Sequence, residues 1–208
     1  MSRRMSDRVL QDQFWNAYYD TIDLILINLT WFLCSVPLIT AIPALGGLFH
    51  ATNRLAHGSG GNWRVFWEGF RQHFWLSWRW GLINAAVFIV LGVSYEFYSQ
   101  LEIPALSWIR WPILIAGAIW AELQLFTFPL LLEQTDRRFL IATRNSAVLF
   151  LRCPGLALSA LVPVLIIGAV SLLVFLPAWV VISASLCAYL ANRAVVKTIE
   201  RLKPPAAA

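Results

Sequence analysis

The chain has 208 residues, of which 59% are apolar and 13% charged, with a formal net charge of +5. Soluble domains carry about 45–50% apolar and about 25% charged residues, so this composition cannot cover a water-facing surface with polar groups. A soluble globular enzyme, a disordered tail and a secreted disulfide module are therefore excluded.

What the composition fits is a single membrane domain over residues 1–208. The expected fold is all-α: a polytopic transmembrane helical bundle of about six membrane helices, each needing about 20 apolar residues. The basic residues lie between apolar runs rather than along one continuous face, so no nucleic-acid partner is expected. Cys34, Cys153 and Cys187 are odd in number and lack metal-ligand spacing, which reads as three small apolar side chains.

From the N-terminus, residues 9–20 carry Phe14, Trp15, Tyr18 and Tyr19 and read as an interfacial segment, with no cleavable leader ahead of the first apolar run. Residues 24–49 then form an apolar stretch broken by Pro37, Pro43 and Gly46–Gly47. As one helix its length would be about 39 Å, longer than the ~30 Å hydrocarbon core. A hairpin of helices 22–36 and 38–56 fits better, with Pro37 at the turn, Thr40 as N-cap and Pro43 in the first turn of the new helix.

Residues 62–75 read as an amphipathic connection, with Arg64, Glu68, Arg71 and Gln72 on one face and Phe66, Phe70 and Phe74 recurring at i+4. Glu68 can pair there with Arg64 and Arg71. Transmembrane helices follow at 78–98 and 111–132, with Trp75, Trp78 and Trp80 at one interface and Trp108 and Trp111 at the other. A second amphipathic connection, 136–152, sets Arg137, Arg144 and Asn145 opposite Leu140, Ile141, Val148 and Leu151. Its apolar side is expected to face the bilayer, and Arg138 adds to its charge. Helices 155–176 and 178–198 close the set, with a tight turn at Pro177.

Six membrane helices put every Lys and Arg except Arg110 on one side, whereas five spans split the N-terminal cluster from the rest. The positive-inside rule selects six, with both termini in the cytoplasm. Arg64, Glu68, Arg71, Arg137, Arg138 and Arg144 are then cytoplasmic candidates for contact with a partner protein or with anionic lipid headgroups.

Within the apolar runs, Glu122 stands midway along its helix with Gln124 beside it, and a carboxylate there costs a few kcal/mol unless paired or protonated. Asn28 and Asn84 are candidate partners, and the four residues together form a candidate solute or proton path. His50, His57 and His73 have no metal-ligand spacing, and Gly58-Ser59-Gly60-Gly61 lacks the Gly-Lys-Ser/Thr ending of a phosphate loop. No nucleophile motif occurs, so no catalytic residue, cofactor or metal is expected.

The stretch from Asn28-Leu29-Thr30-Trp31 through Pro37-Leu38-Ile39-Thr40 to Pro43-Ala44 resembles the signature of the YesL family of bacterial membrane proteins, with Ile42 where that family has Gly. Gly60–Phe74, Phe128–Glu133 and Arg144–Ala147 resemble the same family. The family's biochemical activity is unknown. Its members often accompany genes for carbohydrate uptake and polysaccharide degradation. The resemblance thus implies an accessory of solute uptake in the bacterial cytoplasmic membrane, with ABC-type sugar transporter subunits as partners. A self-contained transporter or channel, as a homo-oligomer using Glu122, is the alternative. An intramembrane enzyme on envelope intermediates, which would need Glu122 and His50 together, is the weakest.

Overall fold

The computed structural model describes residues 2–101, 104–173, 177 and 179–202, and no strand occurs among them. The helices are α1 (Ser2–Ser35), α2 (Leu38–Ala56), α3 (Trp63–Gln72), α4 (Phe74–Ser99), α5 (Pro104–Ser107), α6 (Arg110–Glu133), α7 (Phe139–Arg152), α8 (Pro154–Leu173) and α9 (Ala184–Leu202), the last preceded by a π-helical turn at Trp179–Ser183. Three stretches are long and apolar enough to cross a bilayer: α4, α6 and Val180–Leu202. A shorter apolar stretch, Leu158–Ser171, lies in α8. The chain is a helical membrane protein. The turn expected at Pro177 falls among residues 174–176 and 178, outside the described residues.

Val36 and Pro37 separate α1 from α2, with Pro37 extended at φ −76° and ψ 118°. Ile27 of α1 joins Ala44 and Leu48 of α2 in one buried cluster, as in an antiparallel pair folded back at Pro37. Thr40 does not N-cap α2. Its hydroxyl donates to the carbonyls of Cys34 at 2.6 Å and Pro37 at 2.9 Å, so it satisfies the end of α1 instead. Pro43 likewise sits in the second turn of α2 and is buried, not in the first. Residues 9–20 are helical and run without a break into residues 22–35, and Phe14, Trp15, Tyr18 and Tyr19 are exposed.

Gly58 and Gly60 take positive φ and end the hairpin (φ 70° and 73°), after which α3 folds back on α2. Asn62 caps α3 by accepting from the backbone N–H groups of Arg64 and Val65. The approach is close enough to require glycine. A methyl at Gly61 would lie 2.6 Å from the Ala51 carbonyl, and one at Gly47 would lie 2.9 Å from the Phe66 carbonyl. Phe66 is thereby fully buried, so α3 is part of the packed body as well as an amphipathic surface helix.

A second core joins Phe126, Leu130 and Leu131 of α6 to Ala142 and Leu149 of α7, Ala160 of α8 and Val195 of α9. α7 meets the bundle mainly through small side chains, and large apolar ones point away from the protein, on the side expected to face the bilayer. The face of α7 that packs is Ala142, Ser146 and Leu149, with Ser146 Oγ 3.0 Å from Thr127 Oγ1. Leu140 and Leu151 point outward and are 81% and 79% exposed. Small residues let helix backbones approach, whereas large apolar side chains are as well solvated by lipid as by protein.

Candidate functional site

Glu122 and Gln124 stand two residues apart on α6, about 200° around the helix, and so face different neighbours. Gln124 is buried and accepts hydrogen bonds from Trp80 Nε1 at 3.0 Å and Asn84 Nδ2 at 3.3 Å. Trp120 Nε1 donates to Asn84 Oδ1 at 2.9 Å, which closes an α4–α6 network. Trp80, expected in the interfacial belt, is instead half-buried in this network. Glu122 opens onto an apolar groove of about 470 Å³ between α6 and α8, lined by Ile115, Ile119, Leu161 and Leu165. It has no hydrogen-bond or ion-pair partner among the described residues.

Asn28 belongs to neither place. Its side-chain amide donates to the Val180 carbonyl at 2.6 Å and accepts from the Ser185 backbone N–H at 2.7 Å. It is inserted into the hydrogen-bond ladder where the π-helical turn passes into α9. The expected path through Glu122, Gln124, Asn84 and Asn28 is therefore not one constellation. Gln124 and Asn84 meet, Asn28 stitches α1 to α9, and Glu122 faces α8.

A cluster of polar side chains lies where α2, α6 and α9 meet. Glu133 Oε1 accepts from Asn53 Nδ2 and from His57 Nε2, both at 2.8 Å. Asn53 also donates to Asn192 Oδ1 at 3.2 Å, and Asn192 in turn donates to the Phe49 carbonyl and to Thr52 Oγ1. Beside this network, His73 Nε2 lies 3.2 Å from His50 Nδ1, and Arg137 Nη1 lies 3.2 Å from His73 Nδ1.

A guanidinium can only donate, and that fixes the order of the second set. His73 accepts at Nδ1 and donates from Nε2 to His50 Nδ1. His50 is then left with a buried Nε2–H that has no partner. Burial, with His50 and the Arg137 charge as lesser causes, pushes His73 down to about 4, so its ring is neutral at pH 7. Gly69 is what leaves room for the His50 side chain, since a methyl there would overlap it. Arg137 reaches His73 from a left-handed backbone, φ 46°.

None of these partnerships follows from sequence spacing, because His50, His73 and Arg137 arrive on three separate segments. Among the described residues no three His, Cys, Asp or Glu side chains converge to hold a metal ion.

The remaining charged candidates are on the surface. Arg64, Glu68 and Arg71 are exposed beside Trp63 and Trp67, around a shallow groove of about 830 Å³ on the outer face of α3. Glu68 does not pair with Arg64 or Arg71: the ion pairs among the described residues are His57–Glu133 and Arg138–Asp136. Arg64 lies over the Trp63 ring instead, 5.4 Å from its centroid. Arg138 is 3.9 Å from Asp136, and Arg144 is exposed on α7.

No curated protein and no solved structure matches the chain. Residues 24–95, the segment from the hairpin through α3 and most of α4, match the family described as protein of unknown function, DUF624. That segment contains His50, His73, the α3 groove and the glycines that join α2 to α3, and through it the chain is similar to a family of unknown function.

Proposed function

We propose that this protein is a non-enzymatic, multi-pass component of the bacterial cytoplasmic membrane, with both termini cytoplasmic. It acts by binding the subunits of a solute transporter. The observation that carries this reading is α3. One face is locked onto α2 through Gly47, Gly61 and the buried Phe66. The other presents Trp63, Arg64, Trp67, Glu68, Arg71 and Gln72 around an open groove. Trp and Arg on a rigid support are the residue types that dominate protein recognition surfaces. The resemblance to the YesL family adds carbohydrate as the solute and an ABC-type sugar transporter as the partner.

The test is mass spectrometry of what co-purifies in mild detergent with the tagged chain at native expression. Stoichiometric transporter subunits that disappear in Trp67→Ala/Arg71→Ala, with the melting temperature retained, support the reading. Recovery of the chain alone overturns it. The topology is checked separately: a single cysteine introduced near residue 5 is expected to resist labelling from outside intact cells.

A second reading, a self-contained transporter or channel, is favoured by one observation: Glu122 in its groove against α8. It requires solute flux in proteoliposomes that Glu122→Gln abolishes while the protein stays folded.

A further inference from the structure

Where α4 enters the bundle and α6 turns into α7, a cavity of about 810 Å³ opens at the basic end of the molecule. Its lining divides by chemistry. Arg79, Arg137 and Arg138 contribute three cationic side chains and Asp136 one carboxylate, while Leu82, Ile83 and Leu140 contribute apolar walls. Of the three arginines only Arg138 has a carboxylate within ion-pair reach, Asp136 at 3.9 Å, and both of those side chains are solvent-exposed. Arg137 has a neutral imidazole as its hydrogen-bond partner, so its charge stays uncompensated. It is also held in place from two sides, by the His73 contact and by its left-handed backbone at φ 46°. A guanidinium fixed through one nitrogen keeps its other N–H groups in a fork that fits a phosphate.

We propose that this cavity is a binding site for one anionic phospholipid of the bilayer. Its phosphate lies against Arg79, Arg137 and Arg138, and its acyl chain runs along Leu82, Ile83 and Leu140. The apolar walls select a lipid over a free anion, because inorganic phosphate would leave them without a partner. Leu140, 81% exposed, and Leu82, 57% exposed, extend the apolar wall to the outside of the bundle, where acyl chains are available. The excess of cations, three arginines against the single carboxylate of Asp136, selects an anionic headgroup over a zwitterionic one, whose ammonium would enter a site that is already net positive. Basic pockets between membrane helices on the positive side are where such headgroups bind.

The experiment uses the full chain in nanodiscs of phosphatidylcholine, with or without a minor fraction of phosphatidylglycerol, reading the melting temperature and the lipid retained in native mass spectrometry. Phosphatidylglycerol is expected to raise the melting temperature by about 5 °C and to leave one bound molecule. Arg79→Gln/Arg137→Gln is expected to lose both effects, and Arg152→Gln, at the exposed end of α7 outside the cavity, to keep them. Because removing Arg137 also removes a partner of His73, Leu140→Glu provides a second test. It leaves the His73 contact intact, sets a carboxylate in the apolar wall, and is expected to abolish retention.

Three results overturn the proposal: an equal effect from phosphatidylcholine alone, retention of phosphatidylglycerol by both variants, or the same thermal shift from inorganic phosphate in phosphatidylcholine discs. None of these readouts involves a protein partner, so the proposal stands or falls independently of the transporter reading.

Discussion

The two halves of α4 and α6 live in different surroundings. Near the basic end, α4 buries Ser77, Gly81 and Asn84, and α6 buries Gln124 and then Phe126 to Leu131. Beyond Asn84 and before Gln124 neither helix buries a residue, and the two touch chiefly each other, as where Leu91 and Tyr95 line a shallow cleft with Ile113 and Gly117. One half is held by close backbone approach and a connected polar network. The other is a pair of apolar rods whose outer faces, including Ile89, Val90, Val93 and Ile115, are solvated by whatever surrounds them. Inside a bilayer there is no hydrophobic drive to bring such rods together, so specific structure is expected only where small residues and hydrogen bonds create it.

The sharpest way to break this comparison is to treat glycines in both halves alike. Gly81→Ala, in the inner half of α4, forces a methyl to 2.5 Å from Ile42 Cγ2. It is expected to cost about 2–3 kcal/mol, read as a melting temperature lower by roughly 5–10 °C. Gly92→Ala meets nothing within 4 Å in the outer half. It is expected to be neutral or stabilising by up to about 1 kcal/mol through helix propensity. Equal losses at the two positions would show that the outer half is packed as tightly as the inner one.

A smaller effect separates two neighbours on α6. Gln124→Leu removes the acceptor shared by Trp80 and Asn84 and is expected to cost about 1–3 kcal/mol. Glu122→Gln, at a side chain with no partner among the described residues, is expected to change stability by less than about 0.5 kcal/mol. Thermal melts of both variants decide this, and a large loss from Glu122→Gln would give that carboxylate a structural role.

A separate test of the inner half is its dependence on pH. His73 titrates near 4 in the folded chain, below the ordinary histidine value of about 6.5. The unfolded chain therefore takes up a proton first as pH falls. The stability linked to the neutral ring is complete above about pH 6.5 and is lost progressively down to pH 4. Melting temperatures measured over that window should fall for the wild type and fall less for His73→Gln. Identical slopes would mean that another group governs the acid response.

The helical membrane class was legible from the amount of apolar sequence and the length of its runs. The sequence was less informative about which face of each helix meets protein. In water, hydrophobic periodicity points inward, whereas large apolar residues of α7 point outward, on the side expected to face the bilayer: Leu140 and Leu151 are exposed while Ala142 and Ser146 pack. Trp80 misled, since a Trp near a helix end serves equally well as an interfacial anchor or as an indole donor to Gln124. The opposed faces of Glu122 and Gln124 could have been read from the 100° turn per residue alone. The meeting of His50, His73 and Arg137 could not, because no spacing rule links residues 23 and 64 positions apart on different segments.

Asn28 ties this architecture to the order in which the chain is made. Its amide fills the gap between the Val180 carbonyl and the Ser185 N–H, 152 and 157 residues downstream of it. Until α9 has entered the membrane, that amide in the first hairpin lacks the partners it has in the finished protein, and the turn at Trp179–Ser183 lacks its bridge. The pairing of α1 with α9 is therefore complete only once residues 180–185 have been made and inserted. A chain stopped before residue 180 would lack both of these bonds, a difference by which membrane quality control could distinguish it from the folded molecule.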